Sequence, residues 1–241
     1  MTNLATTQEL YFKHYQVENG LSHNSVITML QDKRGFLWFG TKDGLNRFDG
    51  YNFKLFHHNS KDDRSIGSNY IRCLYEGKNY LWVGTDNGLF RYDNQKESFC
   101  ALSPAITKPI LDIEADKNNN LWFIAGGTLY FKQQVTLSSL NLKSYDDFYA
   151  ILLSKDSNQN IWAASGENVY QYSEESKNFK PITLGFGSIA DDLPVIITAL
   201  KGISKSHMII GTRHHGAFVY DIKMGTTKKL INNYNEQLYV R

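Results

Sequence analysis

Arg213, His214 and His215 stand in a row within MIIGTRHHGAFVYDI, residues 208 to 222. Adjacent imidazoles can hold a metal, but a protein zinc site takes three or four ligands, so two are too few. Their ring nitrogens and the guanidinium suit hydrogen bonding to a polar ligand, with a solvated turn as the plainer alternative. Two other runs, DKNNN (116 to 120) and DSNQN (156 to 160), alternate side-chain oxygens as the start of a calcium loop does. They lack the glycine at the sixth place, where Leu121 and Ile161 stand, and no glutamate closes the loop twelve positions on. Both runs read as turns, and no metal site and no cofactor is assigned. Neither a Gly-x-Ser-x-Gly nor a Cys–His signature of a hydrolase is present.

The elements that would position these groups come from a repeat. LWFGTKDGLNRFDG (37 to 50) returns as LWVGTDNGLFRYDN (81 to 94). Weaker copies start at Leu121 and Ile161, and a fifth starts at Met208 with Ile209 in the tryptophan's place. Trp38, Trp82, Trp122, Trp162 and Ile209 are therefore equivalent, at spacings of 44, 40, 40 and 47 residues. A period of that length is the size of a four-stranded propeller blade. A catalytic motif is rarely copied five times in one chain, so the repeat reads as architecture. The flat indoles fill the wedges between blades, the alternative being a platform for stacking sugars.

Within the first repeat, SVITMLQ (25 to 31) is β-branched and apolar, as an innermost strand should be. Asp32 and Gly35 bound a turn, the first capping its amides and the second tolerating positive φ. FLWFGT and LNRFD are the next two strands, joined by a Lys-Asp-Gly turn through Gly44; Gly88 holds the same place in the second repeat. YNFKLFHH (51 to 58) alternates like an outer strand. The predicted fold is all-β, a propeller of about five four-stranded antiparallel blades near 25–58, 70–102, 109–140, 148–182 and 194–231. Residues 1–10 form a leader and 11–241 a single domain. YFKHYQV (11 to 17) reads as a stray outer strand and the C-terminal NNYNEQLYVR as the start of another inner strand. Together they predict a truncated piece of a longer propeller.

Composition excludes several classes. Hydrophobic residues make up 41% and aromatics 14%, which favours a packed strand-rich protein over a disordered one. The net charge of +2 comes without a basic run, so no nucleic-acid footprint appears. No apolar run reaches the length of a membrane span. The polar N-terminus shows no signal-peptide core.

The repeat D-x-x-G-x-[LI]-W-x-G-T-x-x-G-[LI]-x-x-[FY]-D resembles the two-component regulator propeller repeat. Asp32, Gly35, Trp38, Gly40, Thr41, Gly44, Leu45, Phe48 and Asp49 match it, as do Trp82, Gly84, Thr85, Gly88, Leu89, Tyr92 and Asp93. The resemblance covers about residues 11 to 241. It implies the periplasmic sensor region of a hybrid two-component histidine kinase of the Bacteroidetes type, often responding to oligosaccharides. The implied partners are an oligosaccharide ligand and further propeller and signalling domains of the same full-length protein. No kinase motif lies in this chain, so no enzymatic activity is expected of it. Asp32 to Trp38 also resembles the Asp-box turn of sialidase-type propellers, which raises a propeller glycoside hydrolase or lyase as an alternative. Such a hydrolase needs converging acidic groups, and none stands out from the repeat. A pure protein-interaction scaffold is the third reading.

Three further expectations follow from the strand order. Cys73 and Cys100 lie on the inner and outer strands of one blade, about 14 Å apart at ~4.8 Å per strand, so both should be free thiols. Open blade edges invite pairing, so either a homodimer through the open ends or poor solution behaviour is expected. The longest joining loops, 59–69 and 184–194, share a rim with the second-to-third-strand turns. Ligand contacts are therefore expected at Arg64, Arg213, His214 and His215.

Overall fold

The computed structural model describes residues 11–133, 142–186 and 193–230. Among them lie twenty strands in five antiparallel sheets of four, each sheet in chain order. The first blade holds β1 (Val26–Gln31), β2 (Leu37–Thr41), β3 (Gly44–Phe48) and β4 (Phe53–Phe56). The second holds β5 (Ile71–Glu76), β6 (Leu81–Thr85), β7 (Gly88–Asp93) and β8 (Ser98–Ala101). The third holds β9 (Ile110–Ala115), β10 (Leu121–Ala125), β11 (Thr128–Lys132) and β12 (Leu142–Tyr145). The fourth holds β13 (Leu152–Lys155), β14 (Ile161–Ala164), β15 (Val169–Ser173) and β16 (Asn178–Ile182). The fifth holds β17 (Ile197–Gly202), β18 (His207–Thr212), β19 (Gly216–Asp221) and β20 (Thr226–Lys229).

The first strand of each blade packs on the first strand of the next, from β1 through β5, β9 and β13 to β17, so these strands line one axis. The glycine of the W-x-G-T signature stands where the blades come closest. A Cβ on Gly40 would lie 2.6 Å from Ile71 of the next blade, and one on Gly84 would lie 2.9 Å from Ile110 of the next blade. Each wedge between blades is an apolar cluster. Trp38 packs with Phe56, Tyr92 and Phe99, Trp122 with Tyr145, Tyr172 and Phe179, and Trp162 with Ile197, Leu200 and Tyr220. The indoles are therefore wedge fillers, the architectural reading of the repeat. Ile209 holds the equivalent register in the fifth blade and is half-buried.

Two readings from the sequence meet a different structure. Residues 11–17 form no strand. Tyr15 sets its ring against Phe48 and Phe53, Val17–Asn19 makes one 3-10 turn, and Ser22 bonds to Asn46 and Thr41. Of this run only Tyr15 packs onto the blade face, and Tyr11 and Phe12 stay exposed. The outer strand of the third blade is Leu142–Tyr145, beyond the boundary drawn at 140, and the expected VTLSSLN (135–141) lies outside the described residues. Residues 1–10 and the C-terminal stretch from 231 also lie outside them. Cys73 and Cys100 are both free.

Candidate functional site

Each second-to-third-strand turn is tied to a loop that joins consecutive blades. The N–H of Gly44 donates to the Asn69 carbonyl at 2.7 Å, that of Gly88 to Lys108 at 3.2 Å, and that of Gly126 to Pro109 at 2.9 Å. The Arg213 N–H donates to Ile196 at 2.9 Å. The turns and the joining loops thus form one rim. Their chemistry is local: Thr41 Oγ1 accepts the Asp43 N–H at 3.0 Å and donates to the Gly44 carbonyl at 3.0 Å. Thr85 repeats this, and Thr212 does so across one extra residue, with His215 as the N–H donor. Gly44 and Gly88 follow with φ of +109° and +92°, the left-handed backbone that glycine adopts without cost.

The predicted ligand residues divide on this rim. Arg213 is exposed and His214 half-buried on the β18–β19 turn. His215 is only 3% exposed, and its Nε2 pairs with the Leu193 carbonyl at 3.1 Å. Its ring fixes the joining loop and does not face solvent, which corrects the expectation of a ligand contact there. Arg64 is not brought to the same place. Its loop descends the outer edge of the second blade, where the Phe99 N–H donates to the Arg64 carbonyl at 2.7 Å. Phe99 pairs with Tyr92, toward the end of β7 remote from the Gly88 turn. The Arg64 guanidinium is exposed and bonds to Asp62 at 3.1 Å.

Sequence reasoning missed a polar cluster at the first two turns. Asn69 Nδ2 donates to Asp43 Oδ1 at 2.9 Å, and His57 Nε2 lies 2.9 Å from the Asp43 carbonyl. Arg72 pairs with Asp86 and lies over the Tyr70 ring at 5.0 Å. The signal was present as the acidic residue in Lys-Asp-Gly and Asp-Asn-Gly, but its partners come from another loop. This part of the rim presents paired charges, and the Arg213 turn presents an exposed cation. Such an arrangement can hold a polar ligand by hydrogen bonds.

The opposite rim carries the Asp turns, and they explain the D-x-x-G-x-x-W spacing. Asp32 Oδ1 accepts the N–H groups of Arg34 and Phe36, while Oδ2 accepts the Trp38 indole N–H at 2.9 Å. Asp116 and Asp156 do the same for Trp122 and Trp162, each at 3.2 Å. These carboxylates are occupied by the turn itself, which is what makes the motif structural. Gly35, at φ +90°, closes the first of these turns. The second blade differs, with Gly77 at the aspartate's place.

The model of the family described as two component regulator propeller matches residues 20–43 and 65–87. A curated relative, histidine kinase P4 of Formosa agariphila, is 48% identical over 62 residues, 26% of this chain and 4% of that protein. Among solved structures, the extracellular domain of a one-component system of B. thetaiotaomicron aligns with a TM-score of 0.72 at 19% identity. That alignment covers 90% of this chain and 31% of that one. The extracellular domain of a hybrid two-component system of the same organism aligns with a TM-score of 0.52 at 21% identity, covering 94% of this chain and 38% of that one. Virginiamycin B lyase of Staphylococcus aureus aligns with a TM-score of 0.64 at 11% identity, covering 88% and 72%. The structural likenesses establish the propeller fold, which sensors and a lyase share. The family match is confined to these two segments, which lie in the first two blades and the loops that lead into them.

Proposed function

We propose that this chain is the ligand-sensing, periplasmic propeller region of a hybrid two-component sensor histidine kinase. The ligand is a glycan or oligosaccharide, and the signal passes to kinase and regulator domains elsewhere in the full-length protein. The observation that carries this reading is the match of the regulator repeat to the first two blades of a five-blade array. Similarity to extracellular domains of bacterial signalling systems supports an extracytoplasmic setting. The ligand contacts belong to the rim of turns and joining loops, with the exposed Arg213 and the half-buried His214 as the polar groups, His215 holding their loop and Arg64 at the outer edge.

The test is made in the full-length receptor. Replacing Arg213 and His214 together with alanine should abolish the ligand response while leaving the melting temperature of the sensor unchanged. An unchanged response would show that the ligand face lies elsewhere. Incubation of the chain with glycans separates the enzyme reading. Binding without turnover is expected, and sustained turnover would replace the sensor by a hydrolase or lyase.

A further inference from the structure

Three of the four blade tryptophans sit in wedges built to one plan. Each indole N–H donates to a turn aspartate. Each indole also meets an aromatic ring from the third strand of the next blade. Tyr92 lies 5.0 Å from Trp38, Tyr172 lies 4.7 Å from Trp122, and Tyr220 lies 6.2 Å from Trp162.

The wedge between the second and third blades keeps Trp82 and lacks both partners. Its turn is one residue shorter. Gly77 donates to the Tyr80 carbonyl as Asp32 donates to that of Phe36, so glycine stands where the aspartate would be. On β11, Lys132 pairs with Leu121 as Tyr92 pairs with Leu81, so lysine stands where the tyrosine would be. The consequences are visible around the indole. Trp82 is 9% exposed, against 0 to 1% for the other three. Among the described residues its N–H has no acceptor, unlike those of Trp38, Trp122 and Trp162. A cavity of about 290 Å³ opens beside it, walled by the rings of Tyr75, Tyr80 and Trp82 and floored by Leu121. Lys78 and Lys132 also line it, and among the described residues no acidic side chain does.

The geometry points to a small-molecule site in this wedge, for a single flat ring that carries a carboxylate. The ring occupies the space that a tyrosine fills in the other wedges. The carboxylate takes the Trp82 N–H as an aspartate does there, with the Lys78 ammonium at the same mouth. Aromatic faces favour a planar ring over a saturated one, through offset or edge contacts. The volume lies at the small end of ligand pockets, which limits the occupant to one ring. The site is distinct from the turn rim and stands whether or not that rim binds a glycan.

Indole N–H resonances of the ¹⁵N-labelled chain read this directly, with Trp82 assigned from Trp82→Phe. Phenylacetate should shift the Trp82 resonance saturably and leave the other three in place. Glucuronate, a carboxylate on a saturated ring, should bind about tenfold more weakly or not at all, a difference of ~1.4 kcal/mol. Lys132→Tyr builds the missing ring into the wedge and should abolish the shift, with the three remaining indoles reporting an intact fold. Lys78→Ala, a surface change, should weaken phenylacetate binding several-fold. No shift of Trp82, an equal shift in Lys132→Tyr, or glucuronate matching phenylacetate would overturn the assignment.

Discussion

At the scale of single residues, Asp112 is the group whose surroundings conflict most with its charge. It lies on β9, facing the next blade. Its carboxylate accepts the Leu153 N–H from β13 at 2.8 Å and the Ile113 N–H at 2.8 Å. Burial pushes the carboxyl up to about 6, outweighing the pull of those two donors. The unfolded value is near 3.8, so between those limits the folded chain holds a proton that the unfolded chain has released. The stability from this group is therefore fully present below the unfolded value and is lost as pH rises through about 6. Asparagine keeps an acceptor for Leu153 and carries no charge. Asp112→Asn should flatten the pH dependence of stability between pH 4 and 6 and stabilise the chain at pH 7 by about 1–3 kcal/mol. Thermal melts of both proteins across that range test this, and a wild-type-to-variant difference that stays constant with pH would refute it. The two thiols show the same dependence on setting. Cys73 donates to the Ile110 carbonyl, and burial pushes its thiol well above the usual range, whereas Cys100 is exposed on the outer strand.

At the scale of elements, the Asp turn is the unit that locks each tryptophan to its own blade. Asp156 is buried and satisfies the N–H groups of Asn158 and Asn160, the Asn160 amide and the Trp162 indole. Removing it leaves a buried indole N–H and two turn amides without acceptors. Asp156→Ala should cost about 2–4 kcal/mol, while Asn79→Ala in the aspartate-free turn of the second blade should stay within about 0.5 kcal/mol. Urea unfolding of both variants measures this, and equal midpoints would mean that the carboxylate is not the lock. These turns show why much of the fold was legible in the sequence. Tryptophan, turn aspartate and turn glycine act within one hairpin, so their spacing survives as a readable pattern. What failed to read was non-local. The ring of His215 points at a carbonyl 22 residues back, and the Arg64 loop follows the outer edge of a neighbouring blade. The exchange of Asp for Gly77 and Tyr for Lys132 was open to inspection all along, but only the blade-to-blade packing shows that both changes meet in one wedge.

At the scale of the whole molecule, the blades share faces, and the ends of the array show what an unshared face looks like. In the first blade Leu30, Trp38, Arg47 and Lys54 are in register, and Trp38 of this row packs against the second blade. Met29, Phe39, Asn46 and Leu55 form a row on the other face. Residues 15 to 22 cover part of that face through Tyr15 and Ser22. They leave Met29 70% exposed, with Ile27, Leu37 and Leu55 exposed beside it. The fifth blade gives no cover, since β17 does not pack on β1 as the other inner strands pack on one another. Every other described blade face of this kind is filled by aromatic and aliphatic side chains, and burying such side chains gains about 25 cal/mol per Å² of apolar surface. An apolar sheet face of this kind seeks a partner, and in a solution of this chain alone the partner available is a second copy. The 241-residue chain should therefore self-associate reversibly as its concentration rises. Ile27→Lys combined with Met29→Lys should return it to a monomer with little change in melting temperature, since both side chains already face solvent in the isolated chain. Sedimentation velocity over a hundredfold range of concentration decides it. A parent chain that stays monomeric throughout, or a double variant that associates as strongly as the parent, would show that this face is not where the molecule finds its neighbour.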